Sequence, residues 1–83
     1  MQGKIRLTPP MFGEELKKAR KESGLTQEEL AARAGLHYTY ISLLETNKKS
    51  PTLDSLFRIC KALGISASSL IERVEKPRGD KEP

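Results

Sequence analysis

Apolar residues recur at helical spacing through most of this chain of 83 residues. Phe12, Leu16 and Ala19 stand at i, i+4 and i+7, which places them on one face of a helix over about residues 10–23. No stretch of the sequence shows the sustained alternation of apolar and polar residues that marks a strand. The pattern therefore predicts an all-α fold, whose first helix ends at Gly24 in a left-handed conformation.

The next stretch carries the signals of a second helix at both of its ends. Thr26 and Glu29 form a capping box, in which the hydroxyl accepts the amide of Glu29 and the carboxylate reaches back to the amide of Thr26. Gly35 is the predicted stop. The predicted buried face consists of Leu30, Ala31 and Ala34.

Three more helices are predicted beyond Gly35. The third covers about residues 38–46 and has His37 as its N-cap. The fourth runs from the cap Thr52 to Gly64, and the fifth runs from the cap Ser66 to about Val74. The side chains predicted to face inward are Ile41 and Leu44 on the third helix, and Leu53, Leu56, Ile59, Cys60 and Leu63 on the fourth. The fifth helix carries the apolar pair Leu70 and Ile71.

The five predicted helices form one small domain over residues 10–74, which can bury only a modest core. Residues 1–9 lack periodicity, and residues 75–83 combine charge with Pro and Gly, so both ends are predicted to be flexible. No apolar run is long enough for a membrane span, and no signal-peptide segment follows Met1. The single cysteine, Cys60, excludes an intrachain disulfide and a multi-cysteine zinc site. We expect a cytoplasmic protein.

The charge balance is mildly basic. The chain has 15 Lys and Arg against 11 Asp and Glu, a net charge of +4 and a pI near 9.4. Residues 10–74 hold 10 basic and 8 acidic side chains, so the domain itself has a net charge of only +2. This balance is compatible with an anionic partner, and a nucleic-acid partner would require that the positive charge be clustered.

The second and third helices are separated by the three residues Gly35, Leu36 and His37. A short turn with glycine between two short helices is typical of a helix-turn-helix. Such a pair cannot bury both apolar faces by itself. The other three helices are therefore expected to complete the core.

The stretch GLTQEELAARAGLHYTYISLLETNKKSPTLDSLFRICKALGIS resembles the helix-turn-helix domain of phage-repressor, Cro and Xre-type regulators. The likeness covers roughly residues 12–74 and rests on LTQEELA, on AG at the turn, on YIS and LE in the third helix, and on the final LGIS. The run HYTYIS is also similar to controller proteins of restriction–modification systems. The resemblance implies a five-helix lambda-repressor-like DNA-binding domain, whose third helix lies in the major groove.

Four side chains of the third helix point away from its apolar face and are expected to contact bases: Tyr38, Thr39, Ser42 and Leu43. Thr39 offers a hydroxyl and a methyl group. The family usually has a polar or basic residue in place of Leu43, so this leucine either contacts a thymine methyl or is an exposed residue that weakens readout. None of the four is Arg or Gln, so bidentate base contacts are lacking and we expect DNA shape to contribute to specificity.

Contacts with the DNA backbone are expected on both sides of these residues. Gln27 occupies a position where the family commonly touches a phosphate, and Thr26 is a cap first and a DNA contact second. For Tyr40, packing and phosphate contact are equally open, and His37 is a cap or a phosphate neighbour. The complete set of expected backbone contacts is Thr26, Gln27, His37, Tyr40, Asn47, Lys48, Lys49 and Ser50.

Two charged residues are expected to have a structural role. Arg20 and Glu45 correspond to an ion pair by which the family ties the first helix to the third. Cys60 is predicted to be a small core hydrophobe. Neither a nucleophile–base pair nor a phosphate-binding glycine loop nor a metal-ligand set occurs in the sequence, so we expect no enzyme activity, no cofactor and no small-molecule ligand.

The leading hypothesis is a homodimeric transcriptional regulator that binds double-stranded DNA at a palindromic operator, with half-sites about 34–36 Å apart. The residues expected in the dimer interface are Phe57, Ala67, Leu70 and Ile71. For Phe57, packing within its own monomer and contact with a second copy are equally supported by the sequence. The alternative hypothesis is an antitoxin or adaptor module whose main partner is a protein.

Overall fold

The computed structural model describes residues 12–75, which form five α-helices. They are α1 (Phe12–Glu22), α2 (Gln27–Ala34), α3 (Tyr38–Glu45), α4 (Leu53–Leu63) and α5 (Ala67–Glu75). The described part of the chain contains no strand, so the predicted all-α fold is confirmed. The predicted flexible segment 1–9, and residues 76–83 of the predicted tail, lie outside the described residues. None of the five helices is long and apolar enough to cross a bilayer.

The N-terminal ends of the helices follow from local hydrogen bonds. Thr26 Oγ1 accepts the amide of Glu29 at 3.0 Å, and Glu29 Oε1 accepts the amide of Thr26 at 2.8 Å, which completes the capping box of α2. The hydroxyls of Thr52 and Ser66 each accept the amide three residues further on, at 3.0 and 3.1 Å. Each cap of this kind stabilises its helix by about 1 kcal/mol.

The turn between α2 and α3 depends on a glycine. Gly35 has φ 71°, in the left-handed region that a residue without Cβ adopts most easily. The amide of Leu36 donates to the carbonyl of Ala31 at 2.9 Å across this turn, as in a Schellman motif. Gly24 and Gly64 follow α1 and α4 in the same conformation. These stops confirm the predicted helix ends.

Buried apolar side chains from all five helices form the core. The larger cluster joins α1, α2, α3 and α4 and consists of Leu16, Ala19, Leu30, Ala31, Ala34, Ile41, Leu44, Ile59 and Leu63. A smaller cluster joins α4 to α5 and consists of Leu56, Cys60 and Leu70. Phe12 is half-buried and packs against both clusters. Together the clusters hold α3 against a scaffold made by the other helices.

Two of the predicted placements were wrong. Leu53 was predicted to be buried, but 70% of it is exposed, since it lies in the first turn of α4 beyond the packed part of that helix. Leu70 was predicted in the dimer interface, but it is fully buried against Leu56 and Cys60 and has no surface left for a partner. Ile71, the next residue, is 40% exposed.

Candidate nucleic-acid interface

Helix α3 turns one face into the core and leaves the opposite side accessible. Ile41 and Leu44 are fully buried, and Glu45 is 7% exposed. The accessible side, as we call it from here on, carries Tyr38, Thr39, Ser42, Leu43 and the first residue after the helix, Thr46. The first four are the residues predicted to contact bases. Thr46 was not predicted, although its spacing from Thr39 and Leu43, at i, i+4 and i+7, is a signal that the sequence contains.

His37 orders the first turn of α3. Its Nδ1 accepts the amide of Thr39 at 3.1 Å, which requires that this nitrogen carry no proton. The imidazole also stacks on the ring of Tyr38, with the centroids 5.2 Å apart and an interplanar angle of 22°. Tyr38 is 48% exposed. The first turn of α3 therefore presents a flat aromatic surface, whose phenol oxygen can act as donor or acceptor.

A buried ion pair ties the C-terminal end of α3 to α1. Arg20 Nε donates to Glu45 Oε2 at 2.6 Å, and Arg20 Nη2 donates to Glu45 Oε1 at 3.0 Å. The third guanidinium nitrogen, Nη1, donates to the carbonyl of Leu25 at 2.9 Å, in the loop that leads to α2. The hydrogen bond to Glu45 raises the pKa of Arg20 and outweighs burial, which acts in the opposite direction. The pair therefore fixes the relative positions of α1, α3 and this loop.

Gln27 belongs to the same network. Its Nε2 donates to Glu45 Oε1 at 3.0 Å, and the residue is half-buried. The sequence suggested only a phosphate contact for this side chain. The short turn connects the end of α2 to the start of α3. The contact between Gln27 and Glu45 also connects the opposite ends of the two helices.

Asn47 ends α3 in the way that a glycine ends α2. Its φ of 61° is the only positive φ of a non-glycine residue within residues 12–75. The amide of Lys48 donates to the carbonyl of Leu43 at 2.9 Å, and the amide of Asn47 donates to the carbonyl of Leu44 at 3.1 Å, which together make a Schellman motif. Asn is among the few non-glycine residues that adopt this conformation readily. Its position just after the last periodic residue is the signal by which the stop can be found in the sequence.

The side chain of Asn47 is held by α1. Its Oδ1 accepts the amide of Gly13 at 2.9 Å, and its Nδ2 donates to Glu14 Oε1 at 3.1 Å. A Cβ at Gly13 would overlap the carbonyl oxygens of Leu44 and Glu45, the first at 2.7 Å, so glycine permits this close approach of the two helix ends. The predicted phosphate contact of Asn47 therefore competes with hydrogen bonds inside the protein.

Tyr40 packs within the protein. Its hydroxyl lies 2.8 Å from Oγ of Ser55, which is only 4% exposed and is also bonded to Thr52. The ring is half-buried against the larger core cluster. Of the two possibilities that the sequence left open for Tyr40, the structure shows packing, which links α3 to the first turn of α4.

The loop that follows α3 places positive charge next to the accessible side. Lys48, Lys49 and Ser50 are all exposed, directly after the left-handed Asn47. No carboxylate within residues 12–75 forms an ion pair with either lysine. The charge clustering that a basic domain needs for a nucleic-acid partner is therefore found here on a small scale.

A separate apolar surface lies on α4 and α5. Leu53 and Phe57 are one helical turn apart on α4 and are 70% and 57% exposed. More than half of Phe57 therefore stays accessible in the monomer. Ile71 lines an apolar groove of about 330 Å³ together with Phe12, Ser50, Pro51, Leu56, Val74 and Glu75. Of the other residues predicted in the dimer interface, Ala67 is half-buried.

Comparison with known proteins places these features in a family context. A helix-turn-helix family model matches residues 16–70. The control protein C.MunI of a Mycoplasma species is 44% identical over 66 residues, which are 78% of this chain and 89% of that protein. The crystal structure of the restriction–modification controller protein C.AhdI from Aeromonas hydrophila has a TM-score of 0.71 at 32% identity and covers 72% of this chain and 91% of its own. The structure of SinR, a master regulator for biofilm formation, in complex with DNA has a TM-score of 0.70 at 34% identity, with coverages of 74% and 98%.

Proposed function

Because the chain belongs to the helix-turn-helix family of transcriptional regulators, we propose that it binds specific sequences in double-stranded DNA as a homodimer. Helix α3 lies in the major groove, and its accessible side faces the base edges. The operator is a palindrome whose half-sites mirror the two-fold symmetry of the dimer. The solved complex of SinR with DNA supports this proposal, since that protein is 34% identical to this chain and has the same fold.

The observation that carries the proposal is the way α3 is held. Glu45 is bonded to Arg20 on α1, Tyr40 to α4, and Asn47 to the first turn of α1. None of these ties uses a side chain of the accessible side. A helix that reads base edges needs a fixed orientation and a free outer side, because a displacement of about 0.5 Å already disturbs a binding geometry. The structure of α3 meets both requirements.

Phosphate contacts come from the two ends of the helix-turn-helix. Lys48 and Lys49 are exposed beside the end of α3 and supply positive charge to one strand. On the other flank, free backbone amides at the start of α2, where Thr26 and Gln27 lie, donate to a phosphate, since the Gln27 side chain is bonded to Glu45. These contacts contribute affinity for any sequence and set the register in which the accessible side meets the bases.

The homodimer forms through α4 and α5. Leu53 and Phe57 make an exposed apolar pair that a second copy covers, and Ile71 extends this surface onto α5. In a symmetric dimer the same residues lie on both sides of the axis, so one apolar patch supplies the whole interface. Half-sites about 34–36 Å apart then lie on one face of the duplex.

The control proteins and SinR are regulators, so these relatives give no support to the alternative of an antitoxin or adaptor. The test of the proposal is selection of genomic fragments by the purified protein at roughly physiological salt, followed by sequencing of what is retained. We expect a palindromic site. The matched pair of variants is Thr39→Glu on the accessible side of α3 and Ser68→Glu on the exposed side of α5.

Both variants change an exposed residue, so circular dichroism and thermal unfolding should show an intact fold for each. Thr39→Glu is expected to abolish retention of the site, because it puts a carboxylate against the DNA, whereas Ser68→Glu should bind like the parent. Retention of no fragment by folded protein would overturn the DNA-binding proposal. Equal loss in both variants would place the binding surface elsewhere.

The dimer is tested separately by sedimentation velocity. Phe57→Glu should convert the dimer to a monomer and weaken binding to the full palindrome far more than binding to a single half-site. Lys17→Glu, on an exposed position of α1 outside the proposed dimer interface, is the control for the charge change. A parent protein that is monomeric both alone and on the palindrome would contradict the dimer.

A further inference from the structure

Three residues of the accessible side of α3 form a row of methyl-bearing side chains, which we call the ridge. Thr39, Leu43 and Thr46 follow one another at i, i+4 and i+7, and each side chain ends in methyl carbon. Thr39 and Thr46 are exposed, and Leu43 is half-buried. Thr46 Oγ1 donates to the carbonyl of Ser42 at 2.9 Å and lies 3.3 Å from that of Leu43, so its proton is engaged by the helix itself. Thr46 therefore adds a methyl group, and no free donor, to the ridge.

The polar side chains that are usually found in base readout are missing from this ridge or engaged elsewhere. Helix α3, with the sequence YTYISLLE, contains no Arg, Lys, Asn or Gln. Tyr40, Gln27 and Asn47 make hydrogen bonds to Ser55, Glu45 and α1 within the protein. The donors left on the accessible side are single hydroxyls, and a single hydroxyl cannot make the bidentate contacts by which guanine and adenine are recognised.

In the major groove the apolar group available to such a ridge is the methyl on C5 of thymine. A 5-methylcytosine carries the same methyl group at the same ring position. We propose that Thr39 and Leu43 recognise pyrimidine 5-methyl groups in the operator, and that Thr46 extends this apolar contact toward the end of the helix. This inference rests on the proposed function, since it assigns the chemistry that the accessible side reads.

The experiment replaces single thymines of the selected site by uracil, which removes the methyl group and leaves base pairing unchanged. We expect about fourfold weaker binding at each position that contacts the ridge, the effect of removing one buried methyl. A second set of probes carries 5-methylcytosine at single cytosines. Loss of affinity on uracil substitution assigns the contact to thymine, and gain of affinity on cytosine methylation assigns it to 5-methylcytosine.

Protein variants then locate the contact. Thr39→Ser removes one methyl group and keeps the hydroxyl, and Leu43→Ala shortens the ridge at its centre. In each variant the uracil effect should disappear at one position and persist at the others. Ser68→Ala on the exposed side of α5 is the matched control, because it changes an exposed residue outside the accessible side, and it should leave every uracil effect unchanged.

The outcomes separate this inference from the function on which it rests. A specific site whose affinity is unaffected by every uracil and every 5-methylcytosine overturns methyl readout and leaves the DNA-binding regulator intact. Uracil effects that survive in both Thr39→Ser and Leu43→Ala likewise overturn methyl readout by this ridge. Absence of any specific site overturns the regulator and methyl readout together.

Discussion

The hydroxyl of Tyr40 lies 2.8 Å from Oγ of the buried Ser55, whereas Tyr38, two positions earlier, is 48% exposed and stacks on His37. No hydrogen bond of this kind involves the Tyr38 hydroxyl within the described residues. Two tyrosines at the start of one helix therefore have different roles. Tyr40 connects α3 to α4, and Tyr38 remains available to a partner.

The same conservative substitution distinguishes the two tyrosines. Tyr40→Phe should lower the free energy of unfolding by about 0.5–1.5 kcal/mol, the net contribution of one hydrogen bond, and leave DNA affinity nearly unchanged. Tyr38→Phe should change stability by less than about 0.5 kcal/mol and weaken binding to the selected site about fivefold. Urea unfolding and titration of labelled DNA measure the two quantities. A fully stable Tyr40→Phe variant with weakened binding would instead make Tyr40 a phosphate contact.

The second prediction concerns the left-handed backbone conformation of Asn47. Asn47→Gly keeps the backbone conformation and loses only the side-chain bonds to Gly13 and Glu14, at a cost of about 1 kcal/mol. Asn47→Ala loses the same bonds and must also hold a Cβ at positive φ, which adds about 1–2 kcal/mol. Urea unfolding should therefore rank the parent first, then the glycine variant, then the alanine variant. Equal stability of the two variants would show that backbone conformation contributes nothing at this position.

The Arg20–Glu45 pair should behave as one unit. Arg20→Met or Glu45→Met alone leaves a buried charge without its partner and should cost about 3–5 kcal/mol, while the double variant should cost less than the sum of the two. The pKa of Arg20 is raised in the folded state, so the charged guanidinium stabilises the fold, and this stabilisation is fully present below the pKa of an unfolded arginine. It is lost only when strongly alkaline pH passes the folded value. A double-mutant cycle measured by urea unfolding gives the coupling free energy between Arg20 and Glu45. If the losses in free energy of unfolding of the two single variants simply added up in the double variant, the two residues would not act as a unit.

The lysines after α3 should act through charge alone. Lys48→Ala or Lys49→Ala should weaken binding to every DNA sequence alike and reduce the slope of log K against log salt by about 0.9 for each phosphate that is no longer neutralised. Thr39→Ala should instead cost about 1–3 kcal/mol at one base pair and relax the preference there. Lys61→Ala, in the last turn of α4, is the charge-matched control. Salt titrations on specific and random DNA probes separate these cases. If Lys48→Ala weakened binding to the specific site only, Lys48 would not be a phosphate contact.

Cys60 reports on opening of the core. The thiol is 2% exposed, and burial raises its pKa, so alkylation should be slow in folded protein and fast in urea. As pH rises past the ordinary thiol pKa, the unfolded chain ionises first, and stability should fall until the folded pKa is reached. The Cys60→Ala variant has no thiol to ionise, so the difference between its profile of stability against pH and that of the parent isolates the effect of Cys60. Rapid alkylation of the folded protein would contradict burial of the thiol.

Local sequence signals predicted the elements of this fold well. Thr26 with Glu29 predicted the start of α2, and Gly35 predicted its end, because a cap or a Schellman motif involves residues only a few positions apart. The apolar spacing through Ile41 and Leu44 likewise identified the buried face of α3. The Arg20–Glu45 pair came from the family resemblance, since nothing local joins residues 25 positions apart.

The sequence by itself determined where the helices lie, and which faces of α1, α2 and α3 are buried, because hydrogen bonds and periodicity within a single helix decide both. Only the tertiary structure decided that Leu53 is exposed and Leu70 buried, because that depends on where a neighbouring helix packs. It also decided the hydrogen-bond partners of Tyr40 and Asn47, which are 15 and 34 positions away along the chain. A polar side chain near a helix end can bond to solvent, to DNA or to a distant helix, and the sequence near it is the same in all three cases.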